Sequence, residues 1–114
     1  MNYTHSVEER IAHFFFEGDL IGENNGPELV ELVGELIAKG VTQCSIDISK
    51  VRFINSSGIG VMITLLTKFR NKGGDLVLVN PSEQVRKLLI ITKLNAIFSI
   101  VKNKEEAVQS LTKS

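Results

Sequence analysis

Cysteine occurs once in these 114 residues, tryptophan not at all, tyrosine once, and histidine and proline twice each. A single cysteine, Cys44, excludes an internal disulfide and a thiolate metal cluster, and it suits a reducing compartment. Without tryptophan and with Tyr3 as the lone tyrosine, six scattered phenylalanines make no stacking platform for single-stranded nucleic acid. No apolar run approaches the roughly 20 residues of a membrane span. The start of the chain, with Glu8, Glu9 and Arg10, does not read as a secretory signal. Thirteen basic side chains balance thirteen acidic ones, so no global field draws the chain onto nucleic acid or an anionic membrane. Length and a hydrophobic content of 43% fit one core, so the expectation is a single soluble, cytoplasmic domain over 1–114.

What is present is alternation. IAHFFFE, 11–17, is an apolar and aromatic run closed by Gly18 and Asp19 and predicts a strand, which a weaker strand over 3–8 joins as a hairpin. From Pro27, Leu29, Leu32, Val33, Leu36 and Ile37 recur at helical spacing and stop at Gly40, predicting a helix with proline in its first turn. CSIDIS, 44–49, predicts a strand, and a helix follows from about Gly58 to Asn71, closed by Gly73 and Gly74. LVLVN, 76–80, reads as a strand buried on both faces. A helix over 82–93 takes Ser82 as its N-cap. IFSIV, 97–101, predicts the last strand and KEEAVQSLTKS the last helix. The class is therefore α/β, a mixed β-sheet of about five strands with about four α-helices, and no internal repeat is visible.

The stretch FINSSGIGVM, 53–62, asks for a special account. Asn55, Ser56 and Ser57 are all good N-cap residues, and one capping oxygen stabilises a helix by about 1 kcal/mol. Capping is the plainer reading of these side chains; chemical use of a hydroxyl is the other. Gly58 and Gly60 each cost about 0.5 to 1 kcal/mol in a helix relative to alanine, which calls for close approach of another backbone or a ligand. A regular helix from about residue 57 puts Ile59, Met62, Ile63, Leu66 and Phe69 on the core side. It exposes Ser57 in line with Val61, Thr64 and Lys68 and turns Ser56 inward. The third glycine of a dinucleotide fingerprint and the GKS or GKT of a nucleotide loop are missing. No glycine stands two residues before either serine, and neither His5 nor His13 lies in a triad pattern, so a catalytic serine is not expected. Asp47, at a strand end, reads as a structural or turn-capping residue, since no adjacent acidic pair supports a phosphoaccepting aspartate or a metal ligand, and Asp19 reads as a turn residue.

The run SIDISKVRFINSSGIGVMITLLTKFRNKGGDLVLVN resembles the STAS domain of bacterial anti-sigma factor antagonists, in which an Asp-Ser-Ser-Gly-like motif opens a helix after a buried strand. The likeness covers essentially the whole chain, FFFEGDL resembling the second strand and turn and NPSEQVRKLLIITKLNAIFSIV the closing helix and strand. It implies a STAS-like fold and phosphorylation of the second motif serine, here Ser57 with Ser56 as runner-up, by an anti-sigma factor that is also a serine kinase. The unphosphorylated form is then expected to bind that partner and free a sigma factor, and a serine phosphatase resets the switch. The partner surface is expected to include Asn55, Ser56, Gly58, Gly60, Val61, Thr64 and Lys68, with Asp19 and Glu23 from the preceding turn. No enzymatic activity, cofactor, metal, direct nucleic-acid contact or membrane insertion is expected.

Two departures stand out. Asn55 replaces the family's usual aspartate, keeping a capping oxygen without its charge, and Ile21 and Gly22 follow Leu20 where the family carries an aspartate. The second departure implies that a polar group facing the partner at this turn is missing, or that Glu23 or Asn24 supplies it instead. The alternative reading is a ligand- or nucleotide-sensing STAS module, or a subunit of a larger signalling assembly, without covalent switching.

Overall fold

Glu9 and Arg10 both adopt left-handed backbone, with φ of 53° and 68°, and make the two-residue turn between β1, Asn2–Glu8, and β2, Ile11–Leu20. This hairpin opens a computed structural model that describes residues 2–112, apart from the side chain of Asn24. There follow α1 (Gly22–Ala38), β3 (Gln43–Ile54), α2 (Ser56–Arg70), β4 (Asp75–Val79), α3 (Glu83–Ile91), a 3-10 turn (Leu94–Ala96), β5 (Ser99–Val101) and α4 (Lys104–Thr112). The five strands lie in sequence order, β1 antiparallel to β2 and the others parallel. The expected α/β mixed sheet with four helices is the fold observed.

Alternation along the strands divides the core. Phe14, Phe16, Cys44, Ile46, Ile48, Leu76 and Leu78 face one side, where they pack with Leu29 and Val33 of α1, Met62 and Phe69 of α2, and Val85 and Leu89 of α3. Ile11, Val77 and Val79 face the other, where they pack with Ala107 and Leu111 of α4 and with the partly buried Val101 and Val108. Cys44 is sealed, and burial pushes its thiol far above the ordinary range. No described helix is long and apolar enough to cross a membrane.

Several boundaries differ from the expectation. α1 starts at Gly22, so Pro27 sits inside the helix and not at its opening. β2 does not turn at Gly18 and Asp19; Gly18 takes φ 92° and the strand continues to Leu20. β3 runs on to Ile54, which places Asp47 in mid-strand, where its Oδ1 accepts the amide and hydroxyl of Ser49 at 2.9 and 2.6 Å. β5 is only three residues long, and the expected last helix is described only to Thr112, Lys113 and Ser114 lying outside the described residues.

The long β2–β3 pairing is irregular in an ordered way. Phe15 stands opposite Asp47, Glu17 opposite Lys50 and Asp19 opposite Phe53, so two register shifts each insert one extra residue on β3. Beyond Asp47, β3 no longer pairs with β4. The ends of β2 and β3 therefore extend as a two-stranded ribbon that delivers Leu20 beside Ile54.

Candidate functional site

That ribbon ends in two helix starts. α2 is capped by Asn55, whose Oδ1 accepts the Gly58 amide at 2.7 Å. The same oxygen accepts the Gly22 amide of α1 at 3.3 Å, and Asn55 Nδ2 donates to Glu23 Oε2 at 3.3 Å. One amide side chain thus ties the first turns of both helices. An aspartate here would set a second carboxylate against Glu23; asparagine supplies a donor in its place.

The glycines make this junction tight. A Cβ at Gly22 would lie 2.4 Å from the Ser57 carbonyl carbon, and one at Gly58 would lie 2.5 Å from the Leu20 carbonyl oxygen. The close backbone approach expected at Gly58 is therefore present. At Gly60 it is not: a Cβ there would meet nothing within 4 Å, and the residue is exposed.

The wedge of Gly58 against Leu20 also fixes how α2 is rotated. Residues in phase with it, Met62, Leu65 and Phe69, turn inward together with Leu66, while Ile59 and Ile63 are only half-buried. This corrects the expected core stripe and the ranking of the serines. Ser56 is the exposed residue and Ser57 is half-buried. Ser57 nevertheless keeps its hydroxyl in a groove of about 530 Å³, with Gly22, Glu23, Gly26, Pro27 and Val61 among its walls.

Within the groove Ser57 Oγ lies 2.5 Å from Glu23 Oε2 and 3.0 Å from Asn55 Oδ1. A hydroxyl has one proton, and the shorter contact to the charged acceptor takes it. The carboxyl of Glu23 is held below its usual pKa first by Ser57, then by its own backbone amide and by Asn55.

Of the other expected partner residues, Val61 lines the groove and its methyl faces Gly26. Thr64 is exposed with its hydroxyl bonded back to the Gly60 carbonyl at 2.9 Å, and Lys68 lies half-buried farther along the helix. Asp19 is not joined to Ser57; it pairs with Arg52 at 3.4 Å. Gly22 and Gly26 were not anticipated. Their four-residue spacing on a helix is a legible sign of close packing, but it was hidden by taking the helix to start at Pro27.

Residues 4–107 match the STAS domain family model. A candidate anti-sigma factor antagonist of Thermotoga maritima is 31% identical over 77 residues, 68% of each chain. A crystal structure of a candidate antagonist from the same organism superposes with a TM-score of 0.87 at 24% identity, covering 97% of this chain and 95% of that one. The anti-sigma factor antagonist SpoIIAA in its unphosphorylated form gives 0.82 at 21% identity, covering 96% and 95%. SpoIIAA of Bacillus in its phosphorylated form gives 0.75, also at 21% identity, covering 96% and 98%. With the family model spanning nearly all of the sequence and the five-stranded sheet matching these neighbours, the chain belongs to the STAS-domain family of anti-sigma factor antagonists.

Proposed function

We propose that this protein is a non-catalytic partner switch governed by Ser57. Unphosphorylated, it binds an anti-sigma factor that is also a serine kinase and so frees a sigma factor; phosphorylation of Ser57 ends the binding, and a serine phosphatase restores it. The observation that carries this reading is the placement of the Ser57 hydroxyl in an open groove, hydrogen-bonded to a carboxylate of a different helix and unused as a cap. Ser56, the runner-up, is exposed but stands outside this set of contacts.

Phosphorylation replaces the hydroxyl proton with a group of about −1.5 to −2 charge. The hydrogen bond to Glu23 disappears and two anions meet at a contact now 2.5 Å long. The start of α2 tolerates the charge, because free amides and the helix dipole favour anions there. Glu23 does not, so the first turn of α1 and the groove wall change while the fold persists. A partner fitted against Gly60, Val61, Thr64 and Lys68 then loses its complement. A loss of about 3 kcal/mol weakens such binding by roughly two orders of magnitude.

The test is to incubate the protein with an anti-sigma factor serine kinase from the same organism and ATP, locate phosphate by mass spectrometry, and titrate both forms with that kinase. Phosphate on Ser57, absent from Ser57→Ala and retained in Ser56→Ala, together with weakened binding, supports the switch. An unmodified protein that retains nucleotide supports the sensing alternative.

A further inference from the structure

The second face of the sheet is only partly covered. α4 seals Ile11, Val77 and Val79, and beside its first turn β1, β2 and β3 leave a cavity of about 260 Å³. Thr4, Ser6, His13, Phe15, Asp47 and Lys104 line it. It opens on the face opposite α2 and is independent of the reading of Ser57.

A polar pair occupies its floor. His13 Nδ1 lies 2.6 Å from Ser45 Oγ, and the two residues are 9% and 3% exposed. Among the described residues no buried side-chain nitrogen or oxygen lacks a partner. Ser45 engages Nδ1, so His13 Nε2, which has no such bond, reaches the cavity. Burial first, and then the charge of Lys104, hold this imidazole below its usual pKa against the opposing pull of Glu8. The ring is neutral at pH 7, and one of its nitrogens is an acceptor.

The charges around it do not cancel. Lys104 Nζ, on the cavity wall, pairs with Glu8 Oε2 at 2.8 Å, so its charge is largely offset though still felt at His13. Asp47 is in none of the ion pairs found among the described residues; one of its oxygens serves Ser49 and the other has no partner there. His5, the other titratable neighbour on β1, turns its ring onto Phe14. What remains is one carboxylate, two hydroxyls and the ring of Phe15, which is 37% exposed.

We propose that this cavity binds a small organic ammonium ion, a primary amine on a short carbon skeleton. An ammonium group carries donors only, and Asp47, Thr4 and Ser6 offer acceptors. Cations are also attracted to an aromatic face such as that of Phe15. An anion would meet Asp47 with only Lys104, already paired to Glu8, to offset it, and the volume, just below the range of about 300 to 1,000 Å³ of ordinary ligand sites, suits a small molecule.

The test uses protein labelled with ¹³C at histidine and phenylalanine, titrated at constant ionic strength with ethylamine or ethanolamine hydrochloride, and with ethanol and sodium propionate as neutral and anionic controls. The two ammonium ions should shift the His13 and Phe15 ring signals saturably, and their binding should depress the His13 pKa further. Asp47→Asn, which keeps an oxygen for Ser49, should weaken binding at least about tenfold. Phe15→Leu, which keeps the bulk but not the aromatic face, should weaken it as well and serves as the deciding variant if Asp47→Asn does not fold. Equal shifts with the controls, absence of saturation, or unchanged affinity in the folded variants would overturn the proposal.

Discussion

Two helices begin at the same edge of the sheet, α2 after β3 and α3 after β4, and they use their hydroxyls differently. At α3, Ser82 Oγ accepts the Val85 amide at 3.3 Å and donates to the Val51 carbonyl at 3.0 Å, so both capacities serve the scaffold. At α2 the capping belongs to Asn55, and the proton of Ser57 goes to a carboxylate on another helix. A serine whose proton is given to the scaffold, as that of Ser82 is to Val51, cannot be esterified without breaking that bond. One relieved of that duty by a neighbour can.

The sharpest way to break this contrast is through the glycines. Gly58→Ala forces a methyl against Leu20, Ile54 and Asn55 and should destabilise the protein by about 1 to 3 kcal/mol in urea denaturation. Next in size are the caps. Asn55→Ala removes the acceptor for two helix starts and should cost about 1 to 2 kcal/mol, against about 1 for Ser82→Ala, and only the former should alter the amide signals of Gly22. Gly60→Ala meets open space and should stabilise by about 0.5 to 1 kcal/mol while weakening partner binding. The smallest expected effect is that of Ser57→Ala, which should lower the denaturation midpoint only slightly at neutral pH.

Ser57→Ala should still be visible in the titration of Glu23. Its carboxyl pKa, lowered mainly by Ser57, should move back up toward the ordinary value when followed by NMR. The sign for stability follows from the lowered folded-state pKa. The contribution is present above the unfolded carboxyl value and is lost as pH falls through the folded one, so the difference between the parent and Ser57→Ala should vanish in acid.

Much of this was legible because it is local. The Ser82 cap, the apolar run before Pro81 and the hairpin pattern are set by residues within a few positions of one another. The orientation of Ser56 and Ser57 was not, since the rotation of α2 is fixed by Gly58 against Leu20, which lies 38 positions earlier in the numbering. The start of α1 was hidden for a related reason. Gly-Glu-Asn-Asn-Gly has weak helical propensity, and its first turn is held by Asn55 and by contact with Ser57. The length of β3 was obscured where the two extra residues break the alternation around Lys50 and Arg52. The partner of Ser57 was foreseen only as a residue of the preceding turn.

Those two insertions act as a gauge. At the lower end of the ribbon the paired numbers differ by 32, from Phe15 to Asp47, and at the upper end by 34, from Leu20 to Ile54. Without them Leu20 would stand opposite Arg52, and Glu23 would fall short of Ser57 by two steps of about 3.3 Å each. Hydrogen bonding tolerates only tenths of an ångström, so the alignment of the carboxylate with the hydroxyl is inherited from how β2 and β3 are threaded together, well away from either side chain.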